Sequence, residues 1–105
     1  MFSETIDLPL KLINYSREFH SYSFDKKFEI SEETDRLVSL GNTEYRSGNL
    51  EEAIIFYHKA INKHPLNDDA LQNLYVCYET LGMNDKVMHV KFVWDYVKEL
   101  KGGIF

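Results

Sequence analysis

The stretch Leu40-Gly41-Asn42-Thr43-Glu44-Tyr45-Arg46-Ser47-Gly48-Asn49-Leu50-Glu51-Glu52-Ala53-Ile54 decides the fold. It reads as the end of one helix, a sharp stop and the start of another. Leu37, Leu40 and Gly41 fall at i, i+3 and i+4, a helical face. Gly48 stands where a helix ends on a residue just past its last turn. Asn49 with Glu52 three residues on reads as a capping box for the next helix. Ala53, Phe56, Tyr57, Ala60 and Ile61 then form a buried helical stripe, and Pro65 ends it. Upstream, Ser31-Glu32-Glu33-Thr34 offers a cap with acids in the first turn, where the helix dipole favours them. Residues 31–64 therefore read as a tight helical hairpin.

Residues 68–101 repeat the plan. Asn67 or Asp68 caps a helix carrying Leu71, Leu74, Tyr75 and Tyr78, and Gly82 ends it. Asn84 caps the last helix, with Met83 and Met88 placed as a hydrophobic staple. Val87, Val90, Phe92, Val93, Trp94, Tyr96, Val97 and Leu100 spread over about 220° of that helix, against about 100° for a one-sided surface stripe. Such a helix has more than one neighbour. Gly102-Gly103 release a short tail, residues 102–105. In the N-terminal segment, residues 1–30, Leu12, Tyr15, Phe19 and Tyr22 keep helical spacing after Pro9, whereas Tyr22, Phe24, Phe28 and Ile30 alternate in the strand manner. The expectation is a helix over about 9–21 and an extended link to about 30.

The 105 residues allow one domain with a modest core, and apolar residues at 44% are too many for a disordered chain. The net charge is −5. Acids outnumber bases, five to four in residues 1–30 and six to four in each of 31–67 and 68–105. Without a basic stretch, the nucleic-acid backbone is excluded as a partner. There is no apolar run long enough for a membrane span and no signal-type start. A lone cysteine, Cys77, fits a reducing, cytoplasmic setting and a small apolar role in the core.

The two hairpins are offset by 34 residues: Leu37 maps to Leu71, Leu40 to Leu74 and Gly48 to Gly82. A 34-residue helix–turn–helix period with Leu40-Gly41, Ala53, Tyr57, Ala60 and Pro65 in place resembles the tetratricopeptide repeat family over about residues 34–101. The second unit departs from the pattern, with Tyr75, Val87, Trp94 and Glu99 replacing Gly41, Ala53, Ala60 and Pro65. The resemblance implies an all-α fold of two antiparallel hairpins in a right-handed superhelix, residues 31–101, whose first helices line a concave groove. It also implies an interaction module without catalysis, a protein-binding adaptor or a chaperone-like escort.

The groove candidates it implies are Val38, Asn42, Tyr45 and Arg46 from the first unit and Asn73, Val76 and Glu79 from the second. Asn42 and Asn73 match the two Asn positions of the family's carboxylate clamp. Val38 stands where the clamp has Lys, so an extended peptide or a helix of another protein is the expected ligand. Two hairpins are few for a solenoid, so the apolar Phe92, Val93, Tyr96 and Leu100 need a cover. The N-terminal segment, a second copy in a homodimer, or a client would serve, and the homodimer is the alternative functional reading. No metal or cofactor is expected. His58 and His64 lie six apart rather than at the i, i+4 spacing of helical ligands, which makes them surface histidines. The paired acids at helix starts serve the dipole, not acid–base catalysis.

Overall fold

A computed structural model describes residues 8–104. Its helices are α1 (Leu8–Ser21), α2 (Phe24–Arg46), α3 (Leu50–Lys63), α4 (Asp68–Thr80) and α5 (Asn84–Glu99), followed by a π-helical turn over Leu100–Ile104. The fold is all-α. Helices α2 and α3 pack as one hairpin, α4 and α5 as a second, and α3 joins them by packing on α4. Residues 1–7 of the N-terminal segment and Phe105 of the tail lie outside the described residues.

Both hairpin turns end their first helix in the same way. Gly48 has φ +83° and Gly82 φ +69°. After α2, the Gly48 amide donates to Tyr45 O and the Asn49 amide to Glu44 O. After α4, the Gly82 amide donates to Glu79 O and the Met83 amide to Tyr78 O. This paired bonding satisfies carbonyls a helix end leaves open, and it needs a left-handed residue that glycine adopts without strain.

The starts of the helices differ from expectation at three places. Asn49 makes no side-chain cap; its Nδ2 instead donates to Glu44 Oε2 at 2.9 Å, which gives Glu44 a role across the turn. Asn84 lies inside α5, and Met83 occupies the cap position without a side-chain bond. The third is the largest: residues 24–30 are helical, not an extended link. Ser23, extended at φ −61° and ψ 159°, accepts from the Lys26 amide and starts α2 eight residues earlier than Ser31. The apparent alternation of Phe24 and Phe28 is an i, i+4 pair, its rings stacked with centroids 6.4 Å apart. No Gly or Pro interrupts the chain from Phe24 to Leu40, so the helix propagates once capped. Asn67 does cap α4, its Oδ1 accepting from the Ala70 amide at 2.8 Å.

The hairpins close around small residues. Ala53, Ala60 and Ala70 are fully buried, with Tyr57, Ile61, Leu71, Leu74 and Cys77 around them. Gly41 is the closest approach: a Cβ there would lie 2.5 Å from Tyr57 Cε1. Helix α1 packs against α5, and its Leu12 joins the same core as Val93, Val97 and Leu100. Val93 is 0% exposed and Leu100 7%, so neither is open to a partner.

The far end of α1 is held by an aromatic and polar contact. Tyr15 Oη and His64 Nδ1 are hydrogen-bonded at 2.7 Å, and the Phe19 ring lies 4.7 Å from the His64 ring. His58 makes the matching bond from α3 to α4, its Nε2 2.8 Å from Tyr78 Oη. His58 and His64 are thus half-buried bridges, not surface side chains. Burial lowers the pKa of each below the ordinary 6.5.

Two outcomes follow from this packing. Gly41→Ala destabilises the chain by about 1–3 kcal/mol through overpacking against Tyr57, whereas Gly102→Ala, where an added Cβ meets nothing, is nearly neutral; urea unfolding of both variants checks this. The histidine contribution has a definite sign. With folded pKa values below 6.5, the folded state binds fewer protons than the unfolded one, so stability is full above that pH and falls as pH drops through it. Urea midpoints should therefore decline between about pH 7.5 and 5.5, and His58→Gln/His64→Gln should flatten the decline.

Candidate interaction groove

Helices α2 and α4 lie side by side, as first helices of stacked hairpins must. Between them is a hollow of about 150 Å³ lined by Asn42, Tyr45, Arg46, Tyr57, Asn73 and Val76. Its polar centre is one oxygen. Asn42 Oδ1 accepts from Tyr57 Oη at 2.7 Å and from Asn73 Nδ2 at 3.1 Å. Among the described residues neither Asn42 Nδ2 nor Asn73 Oδ1 has a hydrogen-bond partner, so the pair offers one donor and one acceptor. An extended peptide backbone presents the complementary set.

Each lining residue comes from a definite local cause. Asn42 follows Gly41 on α2, so the contact of Gly41 with the Tyr57 ring brings the phenol to the amide next along the chain. Asn73 follows from the Asn67 cap, which fixes where α4 begins. Burial raises the Tyr57 pKa to about 12, so the hydroxyl stays a donor to Asn42 throughout the neutral range. Tyr45 and Arg46 are exposed at the rim, and Val76 is half-buried beside Asn73.

The structure brings together Asn42, Tyr45, Arg46, Asn73 and Val76 of the sequence-derived set. It separates two others. Val38 is buried in the core and does not line the hollow. Glu79 is exposed but does not line the hollow. Tyr57 is the residue that sequence reasoning placed only in the buried stripe of α3. Its place in the hollow was signalled by Gly41, which leaves room for the ring on its own side of the hairpin.

The apolar set on the last helix divides. Val93 and Leu100 are interior, Tyr96 is partly buried against the core, and Phe92, 47% exposed, is open to solvent with its neighbour Met88. Trp94 packs beside the core, its ring 6.0 Å from Tyr75 and covered by Lys98 Nζ at 4.4 Å. Cys77 is buried and unpaired, and burial pushes its thiol pKa up, the reverse of what a nucleophile needs. Among the described residues no three His, Cys, Asp or Glu side chains are grouped to hold a metal ion, and no helix is long and apolar enough to cross a membrane.

Comparison with models of known protein families, with curated proteins and with solved structures found no match.

The groove's central bond gives an alkaline prediction. Burial also raises the Tyr15 pKa to about 12. For an acid whose folded pKa is raised, stability is full below the ordinary value of 10 and is lost as pH climbs through the folded one. Tyr22 and Tyr78 are also raised, so absorbance titration of the phenolates should show four of the seven tyrosines ionising late, and Tyr57→Phe should remove one of them. The same variant should cost about 1 kcal/mol at neutral pH by leaving Asn42 Oδ1 one donor short.

Proposed function

We propose that this chain is a protein-interaction module of the tetratricopeptide type that binds a peptide or helix of another protein between α2 and α4. The observation that carries the reading is the shared oxygen of Asn42. It ties two residues 31 positions apart into one polar floor, flanked by the exposed Tyr45 and Arg46. Support for the family comes from the 34-residue offset of two hairpins, each ended by a left-handed glycine, and from the Gly41–Tyr57 approach.

The mechanism is recognition without catalysis. The Asn42–Asn73 pair orients a ligand backbone, Val76 and Tyr45 supply apolar area, and Arg46 provides a charge-assisted donor for a carboxylate or carbonyl at the rim. A single cation cannot make a full carboxylate clamp, so an internal segment fits as well as a C-terminus. Adaptor and escort roles both rest on this binding step. A reducing, cytoplasmic setting suits the buried, unpaired Cys77.

Selection of binders from a random-peptide display library on the intact chain tests the reading. Peptides should emerge that shift the amide signals of Asn42, Tyr45 and Asn73. Their Kd should rise about tenfold with Asn73→Ala or Arg46→Ala, the effect of losing about 1.4 kcal/mol. Binders that leave those signals and both variants unaffected would overturn it.

A further inference from the structure

Helix α2 is longer than its hairpin requires. Its 23 residues against 14 in α3 leave a difference of about 13 Å at 1.5 Å per residue. The ion pair of Lys63 Nζ with Glu33 Oε2, 3.0 Å apart, marks where the end of α3 lies level with α2. Residues 24–32 therefore run on past α3. Within this projection Phe24 is 80% exposed and Phe28 56%, and the two rings stack on each other. Beside them is an open hollow of about 460 Å³ lined by Phe28, Glu29, Glu32, Glu33 and Arg36.

The charges of this segment are sorted by the fold. Lys26 is turned back onto the link after α1 and Lys27 onto α1 itself: Lys26 Nζ lies 3.9 Å from the Tyr22 ring centre and Lys27 Nζ 5.8 Å from that of Phe19. Glu33 is occupied by Lys63. At 3.6 residues per turn, Phe24, Phe28, Asp25, Glu29, Glu32 and Asp35 share one sector of about 140° with a single cation, Arg36. None of those four acids has an ion-pair partner among the described residues. The outward sector is thus an aromatic ridge edged by carboxylates, four acids to one base, although the local sequence is far closer to balance.

We infer that this projecting face of α2 is a docking surface for a cationic amphipathic helix of another protein, seating apolar side chains on Phe24 and Phe28 and Lys or Arg against Asp25, Glu29 and Glu32. Aromatic area supplies the anchor. The uncompensated acids select positive charge and speed association. An acidic partner would meet repulsion here, and a neutral apolar one would leave the carboxylates to be desolvated without compensation. The surface lies at the opposite end of α2 from Asn42, so it does not depend on the groove.

The probe is an 18-residue peptide of Leu and Lys at helical spacing, with a counterpart carrying Glu for every Lys, titrated into the isotope-labelled full chain. The Lys peptide should move the amide signals of residues 24–36 and the Glu peptide should not. Phe24→Ala/Phe28→Ala should raise the Kd at least about tenfold. Asp25→Asn/Glu29→Gln/Glu32→Gln should also weaken binding and reduce its salt dependence. Glu51→Gln/Glu52→Gln, which removes two exposed acids at the far end of the hairpin, should leave Kd within about twofold, as distant sites do. Asn73→Ala should do the same, which separates this surface from the groove. Equal loss in the Glu51/Glu52 variant would reduce the effect to general acidity and overturn the inference. So would equal binding of both peptides. Self-association abolished by the Phe24/Phe28 change would assign the ridge to a second copy, and magnetisation transfer from these rings to the chain's own termini would assign it to an internal cover; either would overturn the inference.

Discussion

The contact on which the rest depends is that of the Tyr57 ring with Gly41. A side chain at position 41 would collide with the ring, so the absence of a Cβ sets how near α2 and α3 can come. That distance decides two things together. It closes the core over Ala53 and Ala60, and it brings the Tyr57 hydroxyl to Asn42. One packing constraint thus supplies both stability and the polar floor of the groove. Dispersion in a close-packed interior is lost quickly with separation, so the hairpin has little freedom to drift from this geometry.

Two half-buried histidines extend the same economy to the joints. His58 bridges α3 to α4 through Tyr78, and His64 ties α1 to the end of α3 through Tyr15. Each bond satisfies a polar group that burial would otherwise leave costly. Helix α1 then covers the end of α5, where Leu12 meets the cluster containing Val93, Val97 and Leu100. A helix from the other end of the chain thus covers part of the apolar surface that α5 presents.

The two proposed surfaces differ in kind. Between α2 and α4 it presents hydrogen-bonding groups on a rigid floor, suited to a ligand backbone. On the projection of α2 it presents aromatic rings and uncompensated carboxylates, suited to a side-chain pattern. Both draw on α2, which carries Phe24, Phe28 and Asp35 before Asn42 and Arg46. The rigidity of a single helix fixes the separation between them at about 1.5 Å per residue.

The sequence by itself determined the all-α class, the two hairpins and their glycine stops. These are local matters of period, turn chemistry and spacing, in which each residue answers to neighbours within four positions. It misjudged residues 24–30, because a period of two and an i, i+4 pair look alike over so short a run, and only the Ser23 cap and the helix it starts decide between them. The family resemblance placed Val38 in the groove, and the helical wheel left the cover of Val93 and Leu100 open among three candidates, because it says which residues share a face and not which neighbour that face meets. Tertiary structure alone decided the burial of those residues and the histidine bridges. It alone also turned Lys26 and Lys27 away from the acidic ridge. Those outcomes depend on contacts between residues tens of positions apart or on side-chain direction, and no local pattern encodes them.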